Sequence, residues 1–163
     1  MKKTLAVCAV AVCLLFSSAA HAGGPVVFNI ALNGFNEVDA GGNPGAGDPD
    51  GSGLAVLIID PNTLTIDWNF TVSNILLPLT GAHIHQAPAG VNGAVVVNFN
   101  AQLSGSGLFD PDLANVLANP TGFYVNLHNQ DYPGGAIRGQ IPEPATLSLL
   151  GLGGLLVMRR RRA

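Results

Sequence analysis

One segment of the chain, TLTIDWNFTV at residues 63–72, limits the fold more than any other. Its apolar and polar residues alternate without a break, and alternation with a period of two is typical of a β-strand with one buried face. The apolar face carries Leu64, Ile66, Trp68, Phe70 and Val72. The segment therefore predicts a strand whose apolar side chains, Trp68 among them, pack into a protein core.

Seven further segments are rich in residues that favour strands, and glycine or proline interrupts the chain between nearly all of them. These segments are 26–34, 53–60, 82–86, 94–99, 103–109, 123–128 and 136–141. Only residues 111–118 indicate a helix, of one or two turns. Many short strands with Gly-rich turns predict an all-β fold, and we expect an antiparallel, Greek-key-like β-sandwich.

The first 22 residues have the three parts of a secretory signal peptide. Lys2 and Lys3 precede an apolar run at residues 5–16, and residues 20–22 read AHA, the small-x-small form of a signal-peptidase site. The apolar run is short for an uncleaved anchor, so we expect signal peptidase to cut after Ala22. Cleavage removes both cysteines and one of the four histidines, namely Cys8, Cys13 and His21.

The last 22 residues also have three parts, and the first is Pro142-Glu143-Pro144. An apolar stretch at residues 145–158 follows, and four arginines come directly after it. As a helix the apolar stretch would span about 21 Å, against roughly 30 Å of bilayer hydrocarbon. The tail therefore predicts a short transmembrane helix whose arginines stay on the cytoplasmic side.

This three-part ending resembles a PEP-CTERM sorting signal. The resemblance implies export through the inner membrane of a Gram-negative bacterium and a membrane exosortase that recognises Pro142, Glu143 and Pro144. It also implies that the protein is membrane-anchored only transiently. Its final place would then be the cell surface or the extracellular matrix.

Between the two signals, residues 23–141 are long enough for one domain with a core of its own. This stretch holds nine acidic residues and a single basic one, Arg138, so its net charge is −8. Such a surface repels nucleic acid and anionic lipid, and no nucleic-acid partner is expected. The stretch also lacks a Gly-x-Ser-x-Gly elbow and a phosphate-binding loop, so an enzyme is less expected than a binding module.

Four blocks of this domain resemble the CHRD family, a domain first described in chordin and found in bacterial secreted proteins. They are LNGFNEV, GSGLAVLIID, AHIHQAPAGVNGAVVVNF and GFYVNLHNQDYPGGAIRGQI. One departure is Ala136, at a position where the family usually has an acid. The resemblance implies a β-sandwich over nearly all of residues 23–141, and it implies less about activity.

The three remaining histidines are predicted to share one face of the sheet. In AHIHQ, Ile84 should point into the core, so His83 and His85 point the other way. In FYVNLH, the apolar alternation directs Tyr124, Asn126 and His128 away from the core, and Arg138 is expected to point outward from the last strand. If these strands are neighbours, the side chains form one outer polar patch.

Two interpretations of this patch stay open. A His-x-His pair on one strand with a third histidine on another can hold zinc or copper, so His83, His85 and His128 are candidate ligands. Alternatively, the patch is a structural hydrogen-bond network, in which Arg138 pairs with an acid such as Glu37. The order of these side chains is also similar to that in copper/zinc superoxide dismutase. A dismutase is not expected, because no histidine is left for a bridging ligand.

Two functions follow from these observations. The first is a non-catalytic CHRD binding or structural module at the cell surface or in the extracellular matrix, with an extracellular polysaccharide or a surface protein as partner. The alternative is a copper- or zinc-binding protein that uses the three histidines and could be redox-active. In either case signal peptidase and exosortase act on the chain during export.

Overall fold

The computed structural model describes residues 23–143. The predicted signal peptide at residues 1–22, Pro144, the apolar stretch and the arginine cluster lie outside the described residues. Within residues 23–143, no helix combines the length and apolar character needed to cross a membrane.

The all-β prediction is confirmed, because the described residues form eight strands and one short α-helix. The strands are β1 (Val26–Asn33), β2 (Ser52–Asp60), β3 (Thr65–Ser73), β4 (Gly81–Gln86), β5 (Ala94–Asn98), β6 (Ser104–Phe109), β7 (Phe123–His128) and β8 (Ile137–Gln140). The helix α1 is Leu113–Ala118, and single 3-10 turns occur at Gly34–Asn36 and Pro120–Gly122. Each strand begins and ends within two residues of its predicted bounds.

All pairings between strands are antiparallel, in the order β5-β4-β7-β8-β1-β2-β3-β6. The sheet is curled, and its two halves of four strands meet where Asn33 of β1 pairs with Arg138 of β8. Apolar side chains of both halves belong to one buried cluster. A sandwich of separate layers was expected, and the described strands form a single curled, hydrogen-bonded sheet.

The alternation of buried and exposed residues along the strands explains which side chains form the core. In β1 the buried residues are Phe28, Ile30 and Leu32, and in β4 the central Ile84 is fully buried as expected. Trp68 lies on the predicted face and packs against Phe99, with ring centroids 4.9 Å apart, but it remains partly exposed. Its ring lies over Gly105 of the edge strand β6, where a side chain would overlap it, so Trp68 sits at the rim of the core.

Candidate functional site

The polar face of the sheet forms where β4, β7 and β8 run side by side. His83 pairs with Asn126, which pairs in turn with Arg138 on the next strand. His85 pairs with Tyr124, and His128 lies opposite Gly81 at the end of the same ladder. The strand register therefore brings the predicted patch residues together from three strands.

The expectation that this patch points into solvent is wrong for most of its members. Tyr124 is 1% exposed, Asn126 and Arg138 are each 2% exposed, and His85 is 8% exposed. The cause is that the loop at residues 88–93 and the turn around Glu37 fold over this face and contact it. These side chains do point away from the core, as predicted. Whether they are exposed depends on loops, which the alternation of residues within a strand does not describe.

The three histidines form one compact cluster. The ring centroid of His83 lies 5.5 Å from that of His85 and 5.1 Å from that of His128. The centroids of His85 and His128 are 5.9 Å apart. One ring nitrogen from each residue can be chosen so that all three lie within 4.8 Å of one another. The sequence-predicted candidate ligands are therefore neighbours in space.

Hydrogen bonds fix which nitrogen carries the proton in two of the rings. His85 Nδ1 lies 3.0 Å from the carbonyl oxygen of Gly93, and His128 Nδ1 lies 3.0 Å from that of Pro133. A carbonyl oxygen only accepts, so each Nδ1 donates its hydrogen and each Nε2 keeps a free lone pair. Among the described residues, His85 Nε2, His128 Nε2 and His83 Nδ1 are buried and have no hydrogen-bond partner.

The surroundings keep the imidazoles of His83 and His85 neutral. Burial, together with the charges of His128 and His85 when they are protonated, lowers the pKa of His83 to about 4. Burial also lowers the pKa of His85, and this effect outweighs the hydrogen bond to Gly93, which acts in the opposite direction. Neutral imidazole is the form that can ligate a metal ion, so at neutral pH both rings are in the ligating form.

Comparison with known proteins agrees with this architecture. The family model for the CHRD domain matches residues 20–141, about three quarters of the chain. The chain belongs to the CHRD domain family. The model for the PEP-CTERM protein-sorting motif matches residues 140–162, so the CHRD domain is followed directly by a signal that exosortase recognises. No curated protein and no solved structure matches the chain.

Arg138 of the CHRD domain is held mainly by the loop at residues 88–93. It donates to Val91 O at 2.7 Å and to the side-chain oxygen of Asn92 at 3.2 Å. Glu37, the acid expected to pair with it, lies beside it, with 3.8 Å between Arg138 Nη1 and Glu37 Oε1. The guanidinium carbon also lies 3.3 Å from the centre of the Tyr124 ring, within the range of a cation–π contact.

The remaining patch residues, Glu37 and Asn126, meet at Gly135. This glycine has a φ of +141°, and a Cβ there would overlap Glu37 Oε2 and lie 2.6 Å from the Asn126 amide nitrogen. Only glycine therefore fits between the two side chains. Both are buried, so they help to close the polar face rather than present a surface.

Sequence reasoning missed the loop at residues 88–93. Its Gly93 accepts from His85, and its Val91 and Asn92 accept from Arg138. Two of these acceptors are backbone carbonyls, which every residue type carries, so no side-chain motif marks them. The density of glycine and proline in APAGVNG was the one available signal that this segment turns tightly enough to fold back.

The sorting motif begins where the CHRD domain ends. Ile141 is fully buried, and Pro142 and Glu143 directly after it are exposed. Pro144 lies outside the described residues. The first two residues of the motif are therefore accessible beside the folded domain.

Proposed function

We propose that this chain is an exported surface protein whose CHRD domain binds one copper or zinc ion through His83, His85 and His128. One observation carries the proposal: the three histidines, from two adjacent strands, each offer a ring nitrogen within 4.8 Å of the others. Each also has one buried ring nitrogen with no hydrogen-bond partner among the described residues. Buried polar atoms of folded proteins are nearly always paired. A metal ion held by the three rings would supply the missing partner.

The ligand chemistry supports these two metals. Zinc and copper both accept imidazole nitrogens, and residues 23–143 contain neither cysteine nor methionine to favour a softer ion. In tetrahedral zinc coordination, neighbouring nitrogens are about 3.3 Å apart, so the rings must close by roughly 1.5 Å at most. The hydrogen bonds from His85 and His128 to backbone carbonyls are the outer-shell contacts that orient metal-ligating imidazoles.

The sorting signal supports the cellular context of this proposal. Signal peptidase would release the chain after Ala22, and residues 145–158 would anchor it until exosortase removes the tail. The domain would then act at the cell surface or in the extracellular matrix, where it would meet metal ions outside the cytoplasm.

A titration of the purified metal-free protein with zinc and with copper(II) tests the proposal, followed by calorimetry at neutral pH. We expect one ion per chain, and His83→Ala should abolish binding. His83 is the best position to change, because its buried Nδ1 has no hydrogen-bond partner among the described residues, so the substitution breaks no hydrogen bond there. Gln86→Ala, an exposed position on the same strand, is the matched control and should bind like wild type. Absence of saturable binding by the wild type would contradict the proposal.

A second candidate function is the non-catalytic structural or adhesive module, with a polysaccharide or surface protein as partner. It is favoured by the two histidines that each fasten a loop through Nδ1. Tyr124 could not stack on a sugar in this module, because it is 1% exposed. This function predicts that His85→Ala lowers the melting temperature and that neither metal raises the melting temperature of the wild type.

A further inference from the structure

We infer that Arg138 and Tyr124 are positioning residues that hold His85 in its ligating orientation and thereby set the metal affinity of the site. The inference rests on the proposed function, since it concerns the same ion. Neither residue would touch the ion. Both would act on His85 by two routes, ring stacking and a chain of hydrogen bonds through the loop at residues 88–93.

The first route is stacking through the Tyr124 ring. The ring of His85 lies parallel to that of Tyr124, with centroids 4.9 Å apart and 7° between the planes. The guanidinium carbon of Arg138 lies 3.3 Å from the centroid of the same Tyr124 ring. Tyr124 and Arg138 are both almost fully buried, so the stack has little freedom to shift. The plane of the His85 ring is therefore set by the Tyr124 ring, which Arg138 contacts in turn.

The second route fixes the rotation of the His85 ring within that plane. Arg138 holds the loop by donating to Val91 O at 2.7 Å and to Asn92 Oδ1 at 3.2 Å. Gly93 forms a hydrogen bond to each of the two aromatic side chains. Its N–H donates to the Tyr124 hydroxyl at 3.1 Å, and its carbonyl accepts from His85 Nδ1 at 3.0 Å. Arg138 thus acts on His85 through the position of Gly93.

The loop can reach His85 only because residue 93 is glycine. A Cβ there would overlap the carbonyl oxygen of Gln86 and lie 2.6 Å from its carbonyl carbon. This close approach brings the Gly93 carbonyl down onto β4. Asn92 also donates to Val38 O at 3.2 Å and to Asp39 O at 3.1 Å, which ties the loop to the turn that carries Glu37.

Arginine is required at position 138 for a geometric reason. Its planar guanidinium stacks on Tyr124 and donates to two loop acceptors at once, whereas a lysine ammonium keeps the charge but has neither the plane nor the fork. Arg138→Lys therefore separates positioning from charge. Tyr124→Phe keeps the stack and removes only the hydroxyl that receives the Gly93 N–H, so it tests the second route alone.

The experiment measures two properties of full-length wild type, Arg138→Lys and Tyr124→Phe. The first is zinc affinity, by competition with a chelator, and we expect it to weaken about 10- to 100-fold in each variant, the usual effect of losing an outer-shell partner. The second is the tautomer of His85 in the metal-free protein, from the ring ¹⁵N shifts. We expect Nδ1–H in the wild type and a mixture of tautomers in both variants.

Two controls belong to the same experiment. His128 is fastened to Pro133, outside the loop at residues 88–93, so its tautomer should stay unchanged in every variant. Tyr132→Phe removes the hydroxyl of the domain's other tyrosine, which is partly exposed, and should change neither property.

Unchanged zinc affinity and an unchanged His85 tautomer in folded Arg138→Lys and Tyr124→Phe would overturn the inference. If Arg138→Lys does not fold, the result for Tyr124→Phe alone decides whether the inference holds. Tyr124→Phe removes a single oxygen atom, so we expect this variant to fold. If the wild type binds no zinc, the proposed function fails. The tautomer of His85 then still shows whether Arg138 and Tyr124 orient the ring.

Discussion

Burial of His83 contributes to the way in which the stability of the metal-free domain depends on pH. In the unfolded chain a histidine has a pKa near 6.5, and in the folded domain burial and the neighbouring histidines lower that of His83 to about 4. Between these values the unfolded state binds more protons than the folded state. Lowering the pH through this window therefore favours unfolding.

We expect the free energy of unfolding of the metal-free protein to fall as the pH is lowered from 7.5 to 5.5. Urea unfolding at several pH values measures it. His83→Ala removes one of the responsible groups and should flatten the dependence, while Gln86→Ala should leave it as in wild type. Identical slopes for wild type and His83→Ala would show that His83 is not buried in its neutral form.

At the scale of a single strand, β3 shows how the alternation of buried and exposed residues contributes to the stability of the fold. Ile66 is fully buried, and Asn69 is exposed on the opposite face. Truncating a buried isoleucine removes apolar contacts and leaves a cavity, whereas an exposed polar residue loses little. Trp68 falls between these cases, because it is partly exposed beside Gly105.

Ile66→Ala is expected to lower the free energy of unfolding by about 2–5 kcal/mol. Asn69→Ala, on the same strand, serves as the control and should cost less than about 1 kcal/mol. Chemical denaturation of both variants at pH 7.5 makes the comparison. Equal losses would mean that the two faces of β3 are assigned the wrong way round.

At the scale of the whole molecule, the CHRD domain and the sorting signal are joined with almost no spacer. Within residues 23–143 the last buried residue is Ile141, and the motif starts at Pro142. Exosortase would therefore work close to the folded domain. The domain must tolerate this proximity without covering the motif, and the exposure of Pro142 and Glu143 meets that need.

Replacing Pro142, Glu143 and Pro144 together by alanine should prevent removal of the tail. The intact mass of the surface fraction would then include residues 145–163, whereas the wild-type product would lack the arginine cluster. Pro111→Ala, at an exposed proline of the domain, should be processed like wild type. A wild-type surface form that still carries its arginines would contradict the sorting mechanism.

The sequence by itself determined the strands and the faces on which their side chains lie. Period-two alternation is a local property, so segments such as 63–72 and 123–128 could be placed to within two residues, and His83 and His85 could be assigned to the same face. The helix predicted at residues 111–118 is also a local feature, and the structure has it at Leu113–Ala118. The CHRD and PEP-CTERM resemblances could also be recognised from the sequence, because their motifs consist of residues that are contiguous in the chain.

Only the tertiary structure decided that the polar face is covered and that the three histidines meet. His83 and His128 lie far apart in sequence, and their proximity follows from the pairing of β4 with β7, which no local pattern specifies. The cover depends on carbonyl groups of Val91 and Gly93, which are the same in every residue type. The burial of this face and the lowered pKa values of His83 and His85 therefore arise from long-range contacts, which the alternation of residues along a strand cannot encode.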